Sequence, residues 1–154
     1  FVIELAGLLH DIGKVYVADE IINKHSKIDD AEFKEIQKHP AGSAKLLEKL
    51  NGFATIKEMA ANHHEKWNGN GYPRGLKGEA IPLEGRIVAL ADVFDALGSD
   101  RCYKQAWPLD QVLALIRAEK GEHFDPQLVD LMLANLEKFL EIREQYKDIY
   151  IGAH

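Results

Sequence analysis

A histidine and an aspartate stand side by side at the end of an apolar run, with a lysine three residues later. The segment reads LLHDIGK over residues 8–14, so His10 offers a nitrogen ligand, Asp11 a carboxylate that can bridge two metal ions, and Lys14 a cation. This combination suits a site in which metal ions generate hydroxide beside a bound phosphate. A His-Asp pair is also common at surfaces and helix ends, so the interpretation depends on the residues that follow.

Three further histidines lie at expected helix ends, where side chains from distant parts of the chain can converge. His39 precedes a proline, and His63 and His64 are adjacent. A mixed set of histidine and carboxylate ligands without cysteine favours Fe, Mn or Zn over Mg or Ca. We therefore expect a centre of two or three transition-metal ions, with Fe or Mn preferred and Zn, Ni or Mg as alternatives.

Asp92 interrupts an almost unbroken apolar run, IVALADVF at residues 87–94. An unpaired carboxylate in such surroundings would be strongly destabilising, so it must be neutralised, paired or bound to metal. With the histidines elsewhere in the chain, we interpret it as a metal ligand. The alternative is a cap or an ion pair with Arg86 or Arg101.

A glycine-rich segment, NGNGYPRGLKG at residues 68–78, follows the paired histidines. Such a loop can bring backbone N–H groups close to a ligand, and Arg74 and Lys77 add positive charge. Tyr72 lies between a glycine and a proline beside the histidines, which favours a binding loop over an ordinary surface connection. Packing of Tyr72 against Trp67 is the alternative.

Helical spacing of apolar residues dominates the chain, and few segments alternate as strands do. We expect an all-α fold, a bundle of about seven helices that carries the glycine-rich loop. The first expected helices are residues 1–12, ended by Gly13; 29 to about 39, opened by an Asp29–Glu32 capping box; and 40–50, ended by Asn51-Gly52. Further helices are expected at 55–64, at 82–97 and from Pro108 or Leu109. The last is expected to run from the Asp125-Pro126 cap to about Tyr146, with these residues facing inward: Leu128, Leu131, Met132, Leu136, Phe139 and Leu140.

Composition restricts the class of protein. The chain has 154 residues with 46% hydrophobic content, which is enough for one domain with a proper core. A net charge of −6 argues against binding to duplex DNA or RNA. One cysteine permits no intrachain disulfide, so a cytoplasmic location fits, and no run is long enough for a membrane span. The chain starts as a helix without a cap, so we expect it to be the C-terminal part of a longer protein.

The ordered motifs closely resemble those of HD-GYP domains, the metal-dependent phosphohydrolases of bacterial cyclic dinucleotide signalling. They are the HD pair at residues 10–11, HP at 39–40, HHE at 63–65, WNGNGYP at 67–73 and LADVFDAL at 90–97, and the resemblance runs from about Leu5 to about Val129. It implies a single HD-GYP domain over 1–154. It also implies a phosphodiesterase that cleaves cyclic di-GMP to linear pGpG, GMP or both by means of a metal-bound hydroxide.

Residue roles follow from the motifs and the resemblance together. The expected metal ligands are His10, Asp11, His39, His63, His64 and Asp92. Asp11 and Lys14 are expected to be catalytic, and Lys14, Tyr72, Arg101 and Lys104 to contact substrate. For the three cations, a solvated position is the alternative. Asp95 is expected to be structural, and Glu65 and Glu84 solvated.

Two departures from the family pattern bear on these expectations. The family has a further histidine on a helix before the His-Asp pair, and this chain begins too late to show it. Cys102 stands where proline is usual, beside Arg101. The other functions to weigh are a phosphohydrolase for another nucleotide and a silent signalling or binding module. An upstream receiver or sensor domain and a homodimer are further expectations.

Overall fold

The structure is a computed structural model that describes residues 7, 9–24, 26–50, 53–99 and 105–147. The all-α class is confirmed, because these residues form helices and contain no strand. The α-helices are α1 (Asp19–Ile22), α2 (Asp30–Ile36), α3 (His39–Leu47), α4 (Ala54–Asn62), α5 (Leu83–Gly98), α6 (Leu109–Ala118), α7 (Pro126–Ala134) and α8 (Leu136–Lys147). Two 3-10 helices lie at Ile12–Tyr16 and Gly78–Ala80. No helix in this part of the chain is long and apolar enough to cross a membrane.

The chain forms two compact units, Phe1–Ala89 and Leu90–His154, and the division falls within α5. In the first unit, α3 packs against both the 3-10 helix at Ile12–Tyr16 and α4. Its buried apolar cluster consists of Leu47, Ile56, Met59 and Ala60, with Leu9, Phe53 and Val88 packed around it. This packing brings together the start of α3, the end of α4 and the turn that carries His10 and Asp11.

The second unit has its own buried cluster, and here the expectation of one final helix is wrong. The cluster consists of Leu90, Phe94, Val112, Leu113, Ile116, Phe124, Val129 and Met132. The chain breaks at Asn135 into α7 and α8 because the Asn135 side chain donates to the Leu131 carbonyl at 2.8 Å and competes with the helical pattern. Leu131 and Phe139, expected inward, are 60% and 39% exposed.

The helix starts read from the sequence are confirmed. Asp29 accepts from the backbone N–H groups of Ala31 and Glu32, and Glu32 accepts from the backbone N–H of Asp29. Asp125 caps α7 by accepting from the backbone N–H of Gln127. Because these caps satisfy N–H groups that have no partner within the helix, they fix where α2 and α7 begin.

The helix expected over residues 1–12 is only partly described, and its end differs from the expectation. Residues 1–6 and 8 lie outside the described residues, while 7 and 9 are helical and His10 and Asp11 form a turn. Gly13 does not end a helix. It lies buried inside the 3-10 helix at Ile12–Tyr16, where its lack of a side chain permits a close approach to α3.

Candidate metal centre

Four of the six expected metal ligands converge in the first unit. Asp11, His39, His63 and His64 each offer one ligand atom, and these four atoms lie within 4.8 Å of one another. Asp11 Oδ1 lies 3.1 Å from His39 Nε2 and 3.6 Å from His63 Nε2. His64 Nε2 lies 3.2 Å from His39 Nε2. One carboxylate and three imidazoles thus point at a common volume.

The turn that carries Asp11 is held against α3 by Gly13 and Ser43. The backbone N–H of Gly13 donates to Ser43 Oγ at 2.7 Å, and the Ser43 hydroxyl donates to the His10 carbonyl at 2.8 Å. Ser43 is fully buried. A Cβ on Gly13 would lie 2.1 Å from the His39 carbonyl oxygen and 2.3 Å from the Ser43 nitrogen, so only glycine permits this approach. The contact places Asp11 beside His39.

The histidines present their Nε2 atoms because their Nδ1 atoms are already engaged. Nδ1 of His39 lies 2.6 Å from the Ile36 carbonyl, and Nδ1 of His63 lies 2.9 Å from the Ala60 carbonyl. A carbonyl oxygen only accepts, so Nδ1 carries the hydrogen and the neutral ring keeps its lone pair on Nε2. Hydrogen bonds of this kind commonly orient histidines that bind metal.

The surroundings of Asp11 Oδ1 fit a bound cation. This atom is buried and makes no hydrogen bond, although two histidine nitrogens lie close to it. Lys14 donates to the other oxygen, Oδ2, and its charge favours the ionised form of Asp11. An ionised oxygen facing imidazole lone pairs needs a positive charge between them. The donor set, one carboxylate and three imidazoles, suits Fe, Mn or Zn.

His64 is held neutral. Burial lowers the pKa of His64 to about 3, and the neighbouring His63 and His39 act in the same direction. A histidine that is neutral at physiological pH can bind a metal ion without first losing a proton. The ring of Tyr72 stacks on His64 with a centroid separation of 4.8 Å and an interplanar angle of 22°. Tyr72 therefore borders the cluster of Asp11, His39, His63 and His64, which we call the metal group.

His10 and Lys14 lie beside the group. His10 Nε2 is 3.4 Å from Asp11 Oδ2, and the His10 ring is 4.9 Å from that of His63. Its Nδ1 donates to the Gly7 carbonyl at 2.7 Å, the same pattern as in the other histidines. Lys14 Nζ donates to Asp11 Oδ2 at 2.5 Å, so its charge lies at the edge of the group and is not simply solvated. A ligand role for His10 and a phosphate role for Lys14 stay predictions.

The sequence also predicts Asp92, Arg101 and Lys104 as site residues. Asp92 is half-buried in α5, in the second unit, and its role as a ligand stays a prediction. Arg101 and Lys104 lie outside the described residues. Asp95 accepts from the hydroxyl of Ser99 at 3.1 Å, which agrees with a structural role.

The expectation that Glu65 is solvated is wrong. Glu65 is 1% exposed, and its two carboxylate oxygens accept from the backbone N–H groups of Arg74 and Leu76 at 2.8 and 2.9 Å. The glycine-rich loop cannot satisfy these groups within a helix, and Glu65 does so instead. The sequence signal for this role was its position between the paired histidines and a loop with unpaired N–H groups.

Two further contacts hold the loop against the end of α4. Arg74 Nη2 donates to Oδ1 of the fully buried Asn62 at 2.6 Å. The backbone N–H of Tyr72 donates to the His64 carbonyl at 3.1 Å. A Cβ on Gly71 would lie 2.3 Å from the backbone nitrogen of Lys66, so the loop touches the main chain there. The position of Tyr72 is therefore tied to that of His64.

A helical fold that gathers the His-Asp aspartate with histidines from two other helices is matched by a known family. The model of the HD domain family matches residues 1–128. The chain belongs to the HD domain family, and its resemblance to the HD-GYP type is confirmed.

Three relatives show which members the chain is similar to. It is 45% identical over 148 residues to the 3'3'-cGAMP-specific phosphodiesterase 2 of Vibrio cholerae, covering 95% of this chain and 28% of that protein. It is 48% identical over 147 residues to a cyclic di-GMP phosphodiesterase of Vibrio cholerae, covering 91% and 30%. It is 44% identical over 147 residues to the cyclic di-GMP phosphodiesterase response regulator RpfG of Xanthomonas campestris pv. campestris, covering 94% and 39%. The chain spans about a third of the length of these relatives.

A solved structure agrees on the fold. The crystal structure of a cyclic GMP-AMP specific phosphodiesterase of V. cholerae, V-cGAP3, matches with a TM-score of 0.65 at 24% identity. The match covers 88% of this chain and 38% of that one. It supports the helical HD-domain architecture.

Proposed function

We propose that this chain is the catalytic part of a metal-dependent phosphodiesterase that hydrolyses a cyclic dinucleotide, with cyclic di-GMP the preferred substrate and linear pGpG, GMP or both as products. The observation that carries the proposal is the convergence of Asp11, His39, His63 and His64, with Asp11 Oδ1 buried and lacking a hydrogen bond. The relatives, which are named for cyclic di-GMP and 3'3'-cGAMP, support the substrate class.

The residues that would hold the metal ions are first those whose ligand atoms converge. His39, His63 and His64 would bind through Nε2 and Asp11 through Oδ1, with His10 and Asp92 as the further ligands. Fe or Mn is preferred, in a centre of two or three ions. When bound, such ions supply a hydroxide nucleophile at neutral pH and draw negative charge from a phosphate.

The chain's own groups would then orient and neutralise the substrate. Lys14 donates to Asp11 Oδ2 at 2.5 Å, and an ammonium group has two further N–H groups with which it would bind an incoming phosphate. A lysine at this place lowers the energy of negative charge as it develops on the phosphate oxygens. Arg101 and Lys104 are proposed to contribute further positive charge. Tyr72, stacked on His64, would border the sugar or the base.

A second substrate of the same class is 3'3'-cGAMP. The observation that favours it is 45% identity over 95% of the chain to a relative named for that compound. A substrate panel separates the two, because both share the phosphodiester chemistry and differ in one base. The alternative of a silent binding module is disfavoured by the four converging ligand side chains, which such a module has no need to keep.

The test is turnover of cyclic di-GMP and 3'3'-cGAMP by protein reconstituted with Mn or Fe(II). We expect hydrolysis of at least one of them, and none by a metal-stripped sample. Hydrolysis of neither by folded, metal-loaded protein would contradict the proposal.

A further inference from the structure

A half-exposed aromatic corner borders the metal group. Phe33 on α2 is 46% exposed, and its ring lies 6.1 Å from that of Tyr72 at an interplanar angle of 84°. Tyr72 is stacked in turn on His64. Two perpendicular rings from separate parts of the chain therefore form a corner that is open to solvent on the side of Phe33.

Phe33 lies outside the apolar core of the described residues. It belongs to neither of the two buried apolar clusters, and α2 is already fixed at its start by the Asp29–Glu32 capping box. Lys24 also holds α2, donating to both oxygens of Glu32 at 2.5 and 2.6 Å. About half of the Phe33 side chain is therefore left for contact with a ligand.

The corner is joined to the metal group by a short chain of ring contacts. Within the metal group, His64 Nε2 is 3.2 Å from His39 Nε2. The ring of Tyr72 contacts the ring of His64. Phe33 is the next contact beyond it. A nucleotide places its base one sugar away from its phosphate, so a phosphate at the metal group would bring a base to these rings. Aromatic side chains commonly bind unpaired bases by stacking.

We propose that Phe33, together with Tyr72, forms a stacking surface for one base of the cyclic dinucleotide. The identity of the ligand rests on the proposed function. Phe33 is then a binding residue that sets affinity for purine-containing substrates, because purines offer a larger stacking face than pyrimidines. It takes no part in the chemical step.

The test compares Phe33→Leu with Phe33→Tyr and with a matched control. Phe139→Leu is that control, because Phe139 is 39% exposed and packs edge-on against another aromatic ring, Phe94, at 6.4 Å. Affinities are measured by calorimetry on metal-loaded protein with slowly hydrolysed phosphorothioate analogues of cyclic di-GMP and cyclic di-UMP. Turnover of cyclic di-GMP by the unaltered protein is measured alongside.

We expect Phe33→Leu to weaken binding of the cyclic di-GMP analogue about tenfold, in line with the loss of one stacked base. Binding of the cyclic di-UMP analogue should weaken less, and Phe33→Tyr and Phe139→Leu should stay within about twofold of the unaltered protein for both. A structural role for Phe33 would affect both ligands equally. That result, an unchanged affinity, or no binding by the unaltered protein would overturn the stacking surface.

The two proposals fail in different ways. If Phe33→Leu weakens binding of the cyclic di-GMP analogue more than that of the cyclic di-UMP analogue, but the unaltered protein shows no turnover, the proposed function is refuted and the stacking surface is supported. If the unaltered protein turns over cyclic di-GMP but Phe33→Leu does not change the affinity for either analogue, the stacking surface is refuted and the proposed function is supported.

Discussion

Asp11 is the central residue of the proposed metal centre. Its Oδ1 is buried among histidine nitrogens, and its Oδ2 is held by Lys14. Asp11, His39, His63 and His64 were predictable from the sequence because aspartate and histidine stand at expected helix ends, where side chains from distant parts of the chain can converge. Glu65 was missed, since its burial depends on a loop that folds back over it.

Replacing Asp11 by asparagine should abolish activity without unfolding the protein. Asp11→Asn removes the ionised oxygen that balances a cation. We expect turnover to fall at least about 100-fold, because mutation of a residue that only supports a metal ligand already costs up to about 100-fold in activity. Turnover and the circular dichroism spectrum are measured together. Asp110→Asn, an exposed aspartate of α6, is the control and should keep full activity. Retained turnover in Asp11→Asn would refute its role.

The metal-free protein should lose stability as the pH falls below about 6.5. The pKa of His64 is lowered from 6.5 to about 3 by burial and by His63 and His39, so between these values the unfolded chain binds a proton that the folded chain does not. Stability from this group is complete above pH 6.5 and is lost progressively towards pH 3. We expect a loss of about 2 kcal/mol at pH 5 relative to pH 7.5.

Urea denaturation of metal-free protein at several pH values measures this loss. His64→Asn removes the titrating group and is the comparison, so its stability should depend less steeply on pH in the same window. Equal pH dependence in both proteins would show that His64 already takes up its proton in the folded state.

Close backbone contacts between elements fix the geometry that the residues need. Gly13 touches the main chain of α3, Gly71 touches the main chain at Lys66, and Glu65 joins the end of α4 to the glycine-rich loop. Helix starts were predictable because caps are local in sequence. The break at Asn135 was not, because an apolar pattern continues through it and one side-chain hydrogen bond decides where α7 ends.

Replacing Gly13 by alanine should destabilise the protein and weaken the metal centre. The added Cβ would lie 2.1 Å from a backbone oxygen of α3, which cannot move without moving His39. We expect a loss of about 2–3 kcal/mol in the free energy of unfolding. Gly7→Ala is the matched control because a Cβ there meets nothing within 4 Å, and it should change stability by less than about 1 kcal/mol. Similar values for both variants in urea denaturation would contradict the close approach.

Replacing Glu65 by glutamine should loosen the loop that carries Tyr72. Gln keeps one acceptor, so one of the two loop N–H groups would face an amide donor instead of a carboxylate. We expect KM for the cyclic dinucleotide to rise several-fold and stability to fall by about 2 kcal/mol, while the metal content stays the same. Glu79→Gln, at an exposed position nearby, is the control. Unchanged KM and stability in Glu65→Gln would contradict the clamping role.

The whole molecule combines a metal group in the first unit with a second helical unit that has its own core. The family was predictable because its motifs are spread along most of the chain and occur in a fixed order. The single-domain organisation and an upstream receiver or sensor domain stay predictions, and the chain spans about a third of the relatives' length.

Elemental analysis of the purified protein, before and after anaerobic reconstitution with Fe(II) or Mn, tests the metal centre most directly. We predict at least one transition-metal ion per chain in the unaltered protein and its loss in His63→Asn, whose ligand nitrogen faces Asp11 Oδ1 at 3.6 Å. Asn replaces the imidazole with a side chain of similar polarity, so the variant should stay helical. A folded, unaltered protein that holds no metal after reconstitution would contradict the centre, and with it the proposed hydrolysis.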